Sequence, residues 1–263
     1  NWALFDYNSG KRTTGFKYQD IVIRSYKLKG VKIKDKWGFV NRKGRLKIKP
    51  KFDEIDGFSK EGLCAVRQGK KWGFVNLKGK VVGKFDYSQV YSYQTEGAWV
   101  KKDSKWGLID TKGEVVIPFL YSDVSYFKEG LAYVKQDDKF GFIDGKGTVV
   151  IPFKFTRAFE YSEGLASVCL GSDSCGYINK KGEIVIPFEY STNYGCEFSE
   201  GIAEVKKGDL YGFIDSTGKV IVPVKYKTSY DYNGFDNGVG MLIDSETDKR
   251  FYFDKAGTLF FED

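Results

Sequence analysis

The sequence predicts an all-β protein built from tandem repeats, and three observations predict it. The first is composition: 17% of the 263 residues are aromatic, with 22 Phe, 18 Tyr and 5 Trp against one Met and no His. Rings of this kind suit pleated, half-buried surfaces. The second is a phrase that returns at a fixed period. It reads KWGFVNRKG at 36–44, KWGFVNLKG at 71–79, KWGLIDTKG at 105–113, KFGFIDGKG at 139–147, SCGYINKKG at 174–182 and LYGFIDSTG at 210–218. Its ring position is Trp37, Trp72, Trp106, Phe140, Cys175 and Tyr211, in steps of 35, 34, 34, 35 and 36 residues. Worn copies, NWALFDYNSG at 1–10 and RFYFDKAG at 250–257, flank the series. The third is proline: all five, Pro50, Pro118, Pro152, Pro187 and Pro223, fall at or within one residue of one slot of the period.

Each unit opens with a strand such as GFID, in which Phe142 and Ile143 point to opposite faces and both are apolar, so the strand is expected to be covered on both sides. Asp or Asn follows and Gly closes, as in Asp110 to Gly113, the pattern of a type I turn whose Gly takes positive φ. The ladder Asn41, Asn76, Asp110, Asp144, Asn179 and Asp215 is read as turn residues bonding their own backbone rather than as metal ligands. An apolar run then meets Pro, as in VVIPFLY at 115–121, so this second strand must bend or lie at an edge. An acidic turn and a short strand complete the unit, as in FKEGLAYV at 127–134 and YSEGLASV at 161–168. Glu61, Glu96, Glu129, Glu163 and Glu200 recur once per unit, which suits a repeated loop feature better than a single asymmetric acid–base pair. The ring of KWG is expected to pack between repeats, with its Gly admitting a close neighbour. Lys36, Lys71, Lys105 and Lys139 and the turn lysines are expected to face solvent.

With those motifs in view, the units resemble the WG-repeat family of mostly bacterial proteins, with a consensus near K-[WY]-G-[FY]-I-[DN]-x-x-G-x-x-V-I-P-x-x-Y followed by F-x-[ED]-G-L-A-x-V. The resemblance covers nearly the whole chain. It implies an interaction module of a secreted, surface or effector protein. Ser174-Cys175 in place of Lys-Trp, Gly83-Lys84 where Pro is expected, and the eroded ends depart from the pattern.

Three short antiparallel strands per unit, joined in one meander, are expected to stack into an open β-superhelix or solenoid, with a closed seven-bladed propeller as the alternative. Residues 1–263 read as a single domain of about seven repeats whose worn ends, 1–35 and 239–263, act as caps. The start at Asn1, without an initiator Met or signal-peptide pattern, reads as a processed or excised piece. No apolar window reaches the length of a membrane-spanning helix. The formal charge of +7 reads as interspersed along the chain, without a basic block, so nucleic-acid binding is not expected.

Cys64 occupies the small Ala slot of GLAxV and reads as buried. Cys169 and Cys175 flank a hairpin tip, where a disulfide would replace the missing ring packing and would indicate an oxidising compartment. Without His or a paired Cys-x-x-Cys, neither metal nor cofactor is expected. Function is sought in what varies between units. The variable stretches supply Tyr91, Tyr93, Tyr126, Tyr161, Tyr194, Tyr230 and Tyr232 as candidate binding residues. Trp99 and Tyr133, in the x slot of GLAxV, are candidate exposed rings. The expected function is a non-catalytic scaffold engaging a protein partner, with a carbohydrate or cell-envelope ligand as the alternative and a secreted, periplasmic or cell-surface location.

Overall fold

The computed structural model describes residues 2–4, 12–15, 17–23, 25–172, 174–191, 197–227, 235–244 and 246–262. Every regular element among them is a strand, and the chain forms two compact units, Asn1–Ser122 and Asp123–Asp263.

The first unit holds three antiparallel sheets of four strands, each a meander in chain order. The first sheet is β1 (Asp20–Val22), β2 (Lys29–Ile33), β3 (Lys36–Val40) and β4 (Leu46–Phe52). The second is β5 (Glu54–Phe58), β6 (Leu63–Gln68), β7 (Lys71–Asn76) and β8 (Val81–Tyr87). The third is β9 (Gln89–Val90), β10 (Ala98–Lys102), β11 (Lys105–Ile109) and β12 (Val115–Tyr121).

The second unit repeats this plan. Its first sheet is β13 (Asp123–Val124), β14 (Leu131–Gln136), β15 (Lys139–Asp144) and β16 (Val149–Phe155), and its second is β17 (Arg157–Ala158), β18 (Leu165–Gly171), β19 (Ser174–Asn179) and β20 (Ile184–Tyr190). A longer sheet follows, formed by β21 (Ile202–Lys207), β22 (Leu210–Asp215), β23 (Val220–Lys227), β24 (Phe235–Asp236), β25 (Val239–Asp244), β26 (Arg250–Phe253) and β27 (Leu259–Glu262).

The expected three-stranded unit is therefore corrected to four. The extra strand is two residues long in β9, β13 and β17, three in β1 and five in β5, and comes from the stretch after VIPFxY, as when Asp123–Val124 pairs with Lys135 and Val134. The sheet is also out of phase with the phrase: GLAxV joins the KWG strand that follows it, Leu131 facing Asp144 and Gln136 facing Lys139. Two residues are too few to show an alternating pattern, which is why the sequence hides this strand.

The turns explain themselves locally. In Asp110–Glu114 the carboxylate accepts the amides of Lys112 (2.8 Å) and Glu114 (2.9 Å), and Gly113 takes φ of 83°. Asn41 does the same for Lys43 and Arg45. Three of the EG turns, at Glu129, Glu163 and Glu200, are two-residue loops with both residues left-handed, Glu129 at φ 52° and Gly130 at 88°, the signature of a type I′ turn. The proline strand bulges against its partner. Between Phe140↔Phe155 and Phe142↔Ile151 one residue faces three, with Pro152 among the three. The bulge drives backbone onto the Gly of KWG: a Cβ on Gly141 would lie 2.6 Å from the Ile151 carbonyl oxygen. Pro118, Pro152 and Pro187 stand on strands that end their sheets, where a missing N–H does no harm.

The cores lie between neighbouring sheets rather than within one. Phe39, Ile48 and Phe52 of the first sheet pack with Phe58, Cys64 and Val66 of the second. Phe142, Ile151 and Phe155 pack with Tyr161, Ala166 and Val168 in the same way. The turn glycines seat each sheet on the last: Gly79 abuts Ile48, Gly182 abuts Ile151 and Gly218 abuts Ile186. Both Phe142 and Ile143 are fully buried, as two-sided covering requires.

Candidate functional site

Phe58, Tyr93, Tyr161 and Phe198 hold one position, the aromatic residue just before each acidic turn. Each rests against the Phe or Tyr of the preceding sheet's phrase, Phe39 at 4.7 Å, Phe74 at 5.6 Å, Phe142 at 5.1 Å and Tyr177 at 5.0 Å between ring centres. Tyr93 and Tyr161 are thus buried anchors. Their hydroxyls donate to the carbonyls of Ile109 (3.1 Å) and Asn179 (2.9 Å), and burial raises the pKa of both phenols. The signal was in the sequence, since Phe and Tyr alternate at this slot.

Trp99 is also a correction. It is 1% exposed, with its ring edge-on to Tyr121 at 6.5 Å, because the x slot of GLAxV faces the neighbouring core; Ala65 and Ser167 in the same slot are buried too. Tyr133 is half-buried against Phe140 at 5.6 Å. Tyr91 is half-buried and tilted over Trp106 at 4.7 Å, and Tyr126 is half-buried with its amide donating to Glu160 (3.2 Å). Desolvation holds the Glu160 carboxyl above its usual range. Tyr194, Tyr230, Tyr232 and Cys196 lie outside the described residues. Among the described candidate rings, Tyr91, Tyr126 and Tyr133 keep part of their surface in solvent.

The rings of KWG act as packing surfaces. Trp37 belongs to the core shared by the first two sheets, and lysines on the preceding strands lie over the rings, Lys101 over Trp106 at 5.4 Å and Lys135 over Phe140 at 5.6 Å. Two of the turn glutamates, Glu129 and Glu163, form clips between sheets. Glu129 accepts the amide of Gly164 (3.2 Å), and Glu163 accepts the amide of Gly201 (2.7 Å). Lys180 bonds the Glu129 carboxylate (2.9 Å), and this bond foremost holds that carboxyl below its usual range.

A cleft of about 190 Å³ opens in the first unit, lined among others by Asp56, Phe58, Ser59, Ser92 and Tyr93. Ser92 donates to Asp56 across its rim, and the buried Ser59 hydroxyl has no protein partner among the described residues. The cleft is smaller than typical small-molecule sites and suits a single protruding side chain. Behind it, burial pushes the free Cys64 thiol up to about 12, so this cysteine is inert. Cys169 and Cys175 are joined by a disulfide across paired strands β18 and β19.

The expectation of interspersed charge fails. Residues 1–122 carry 26 Lys and Arg against 12 Asp and Glu, a net +14, whereas residues 123–263 carry 16 against 23, a net −7. The whole-chain value of +7 conceals this division.

Among solved structures, a crystal structure of a eukaryotic initiation factor is similar, with a TM-score of 0.53 and 13% identity over 98% of this chain and 82% of that one. Hsv2 of Kluyveromyces lactis (TM-score 0.46, 8% identity, 94% and 98% covered) and BamB of Moraxella catarrhalis (TM-score 0.46, 9% identity, 82% and 78% covered) are similar to a lesser degree. At such identities the first likeness concerns the fold alone. No curated protein matches the chain in sequence. The profile of the WG containing repeat matches residues 37–72, 72–106, 106–140, 140–172, 176–211 and 211–239, which span the buried rings, bulge glycines and turns described above, and the chain belongs to the WG-repeat family.

Proposed function

We propose that the chain is a non-catalytic scaffold whose sheets hold variable loops and edges for a protein partner. One observation carries the reading: the turn Asp and Asn, the phrase glycines and two of the turn glutamates, all of which recur along the chain, are occupied structurally. The turn Asp and Asn hold their own backbone, Glu129 and Glu163 hold the next turn, and the phrase glycines admit the bulge. Carboxylates so placed are acceptors for amides, not an acid and a base in contrasting environments. What differs between units is left to recognise a partner, and the cleft at Asp56 and Ser92 is sized for one of its side chains.

The test is capture of a binding partner by the intact chain and by a Tyr91→Ala, Tyr126→Ala, Tyr133→Ala variant, with a glycan array alongside. Loss of protein capture by a variant that melts as the parent does supports the reading. Binding confined to the glycan array would replace the protein partner with a carbohydrate. Turnover of any substrate that disappears on replacing a single carboxylate would overturn the absence of catalysis.

Two finer points belong to the same proposal. Five sheets of four strands and a sixth of seven match the four-stranded blades of the propeller alternative better than the three-stranded units expected of the open superhelix, and support the former. A radius of gyration near about 18 Å, the compact value for this length, would agree, and a much larger one would restore the open form. The Cys169–Cys175 disulfide supports a secreted, periplasmic or cell-surface location. An alkylated mass that is the same with and without prior reduction, for protein taken from its own cells, would remove that support.

A further inference from the structure

The charge division has a focus. Residues 42–51 read RKGRLKIKPK, six cations in ten residues without a carboxylate. Arg42, Lys43 and Arg45 occupy the turn between β3 and β4, and Lys47, Lys49 and Lys51 alternate along β4. All six are exposed, and among the described residues none of their side chains has an ion-pair partner. The proline bulge runs through this row, with Lys49, Pro50 and Lys51 together facing Gly38, and the three strand lysines stay exposed on both sides of the half-buried Pro50. Ile48, between Lys47 and Lys49, and Phe52, after Lys51, turn into the core.

The row is peculiar to this sheet. In β12 the same three slots hold Val116, Pro118 and Leu120, and in β16 they hold Val150, Pro152 and Lys154. A single lysine or proline is enough to guard an edge strand against stray pairing. Three lysines in a row, continued by three cations in the adjoining turn, repel one another, and edge protection does not call for that.

The geometry points to this track as the docking surface for an extended acidic segment of a partner protein, with Asp or Glu at every second residue, lying along β4. The inference rests on the protein-partner reading above and names the partner's chemistry. β4 ends its sheet, so one side of its backbone has no neighbouring strand, and an added strand would pair there. The lysines recur at every second residue, the side-chain period of an extended segment, so alternating carboxylates match the row in spacing and in sign. Single-stranded nucleic acid is disfavoured because no exposed ring interleaves the lysines to stack a base.

Fluorescence anisotropy on the full chain tests this with labelled ten-residue peptides of five Glu and five Thr, alternating in one and with the Glu blocked at one end in the other. A labelled decathymidylate and phosphatidylserine-containing vesicles serve as the competing polyanions. The expected result is at least tenfold tighter binding of the alternating peptide than of the blocked one. A K47S/K49S/K51S variant should lose at least tenfold of that affinity, and a K60S/K70S/K78S variant, with the same change in net charge on exposed lysines of the next sheet, less than twofold. Equal losses in the two variants, equal binding of the two peptides, or tighter track-dependent binding of decathymidylate or vesicles would overturn the inference. If the alternating peptide fails to bind while the tyrosine variant still abolishes partner capture, the track falls and the scaffold reading stands. If partner capture is absent as well, both fall.

Discussion

Asp110 shows how much one side chain contributes to a repeat. Its carboxylate closes the hairpin by accepting two backbone amides, that of Glu114 foremost, and these bonds hold its pKa below the ordinary carboxylate value. A lowered folded pKa means that the group stabilises the fold above its unfolded pKa and that this contribution is lost as pH falls through the folded value. Chemical denaturation between pH 7 and pH 3 should therefore show stability declining below about pH 4. Asp110→Asn should flatten part of that decline with little loss at pH 7, since Asn41 and Asn76 already make the same bonds, whereas Asp110→Ala should cost about 1 kcal/mol at pH 7. Glycine gives the second test at this scale. Gly141→Ala puts a methyl 2.6 Å from a backbone oxygen that the bulge fixes, so urea denaturation should report a loss of about 1–3 kcal/mol. Gly15→Ala, with nothing within 4 Å and no positive φ, should be nearly silent. These roles were legible in the sequence because they depend on neighbours a few residues away.

Between single side chains and whole sheets lie the clips and staples that join elements. Glu163 pairs a left-handed turn residue with an acceptor for the amide of the next turn, so Glu163→Ala should lower the melting midpoint by an amount equivalent to about 1 kcal/mol. The Cys169–Cys175 bridge closes a short loop on a hairpin that its ladder already orders. Reduction should remove about 1–2 kcal/mol, measured by denaturant titration with and without reductant. The elements were only partly legible. The turns, the bent proline strand and GLAxV follow from local pattern. The fourth strand does not, since Gln89–Val90 and Asp123–Val124 are too short to carry one. Nor did pattern reveal that Trp99 is buried, because the polar Glu204 and Ser167 in its slot suggested a solvent face.

On the scale of the whole molecule, stability rests on cores shared between neighbouring sheets. Fully burying a Phe stabilises by roughly 1.5–3 kcal/mol, and Phe39, Phe74 and Phe142 are covered by residues of the following sheet. A sheet without its neighbour loses that term while its backbone entropy cost is unchanged. The peptide 123–155, containing β13–β16, should accordingly show no cooperative melting by circular dichroism. Nearest-neighbour stacking, the all-strand content and the repeat period were determined by the sequence alone, because period-two alternation, turn chemistry and recurrence are local or written along the chain. Tertiary structure alone decided which strands share a sheet, which tyrosines serve as anchors, and that two of the turn glutamates clasp the next turn. Each of these depends on a surface supplied by residues some 35 positions away, and local pattern carries no record of what will cover it.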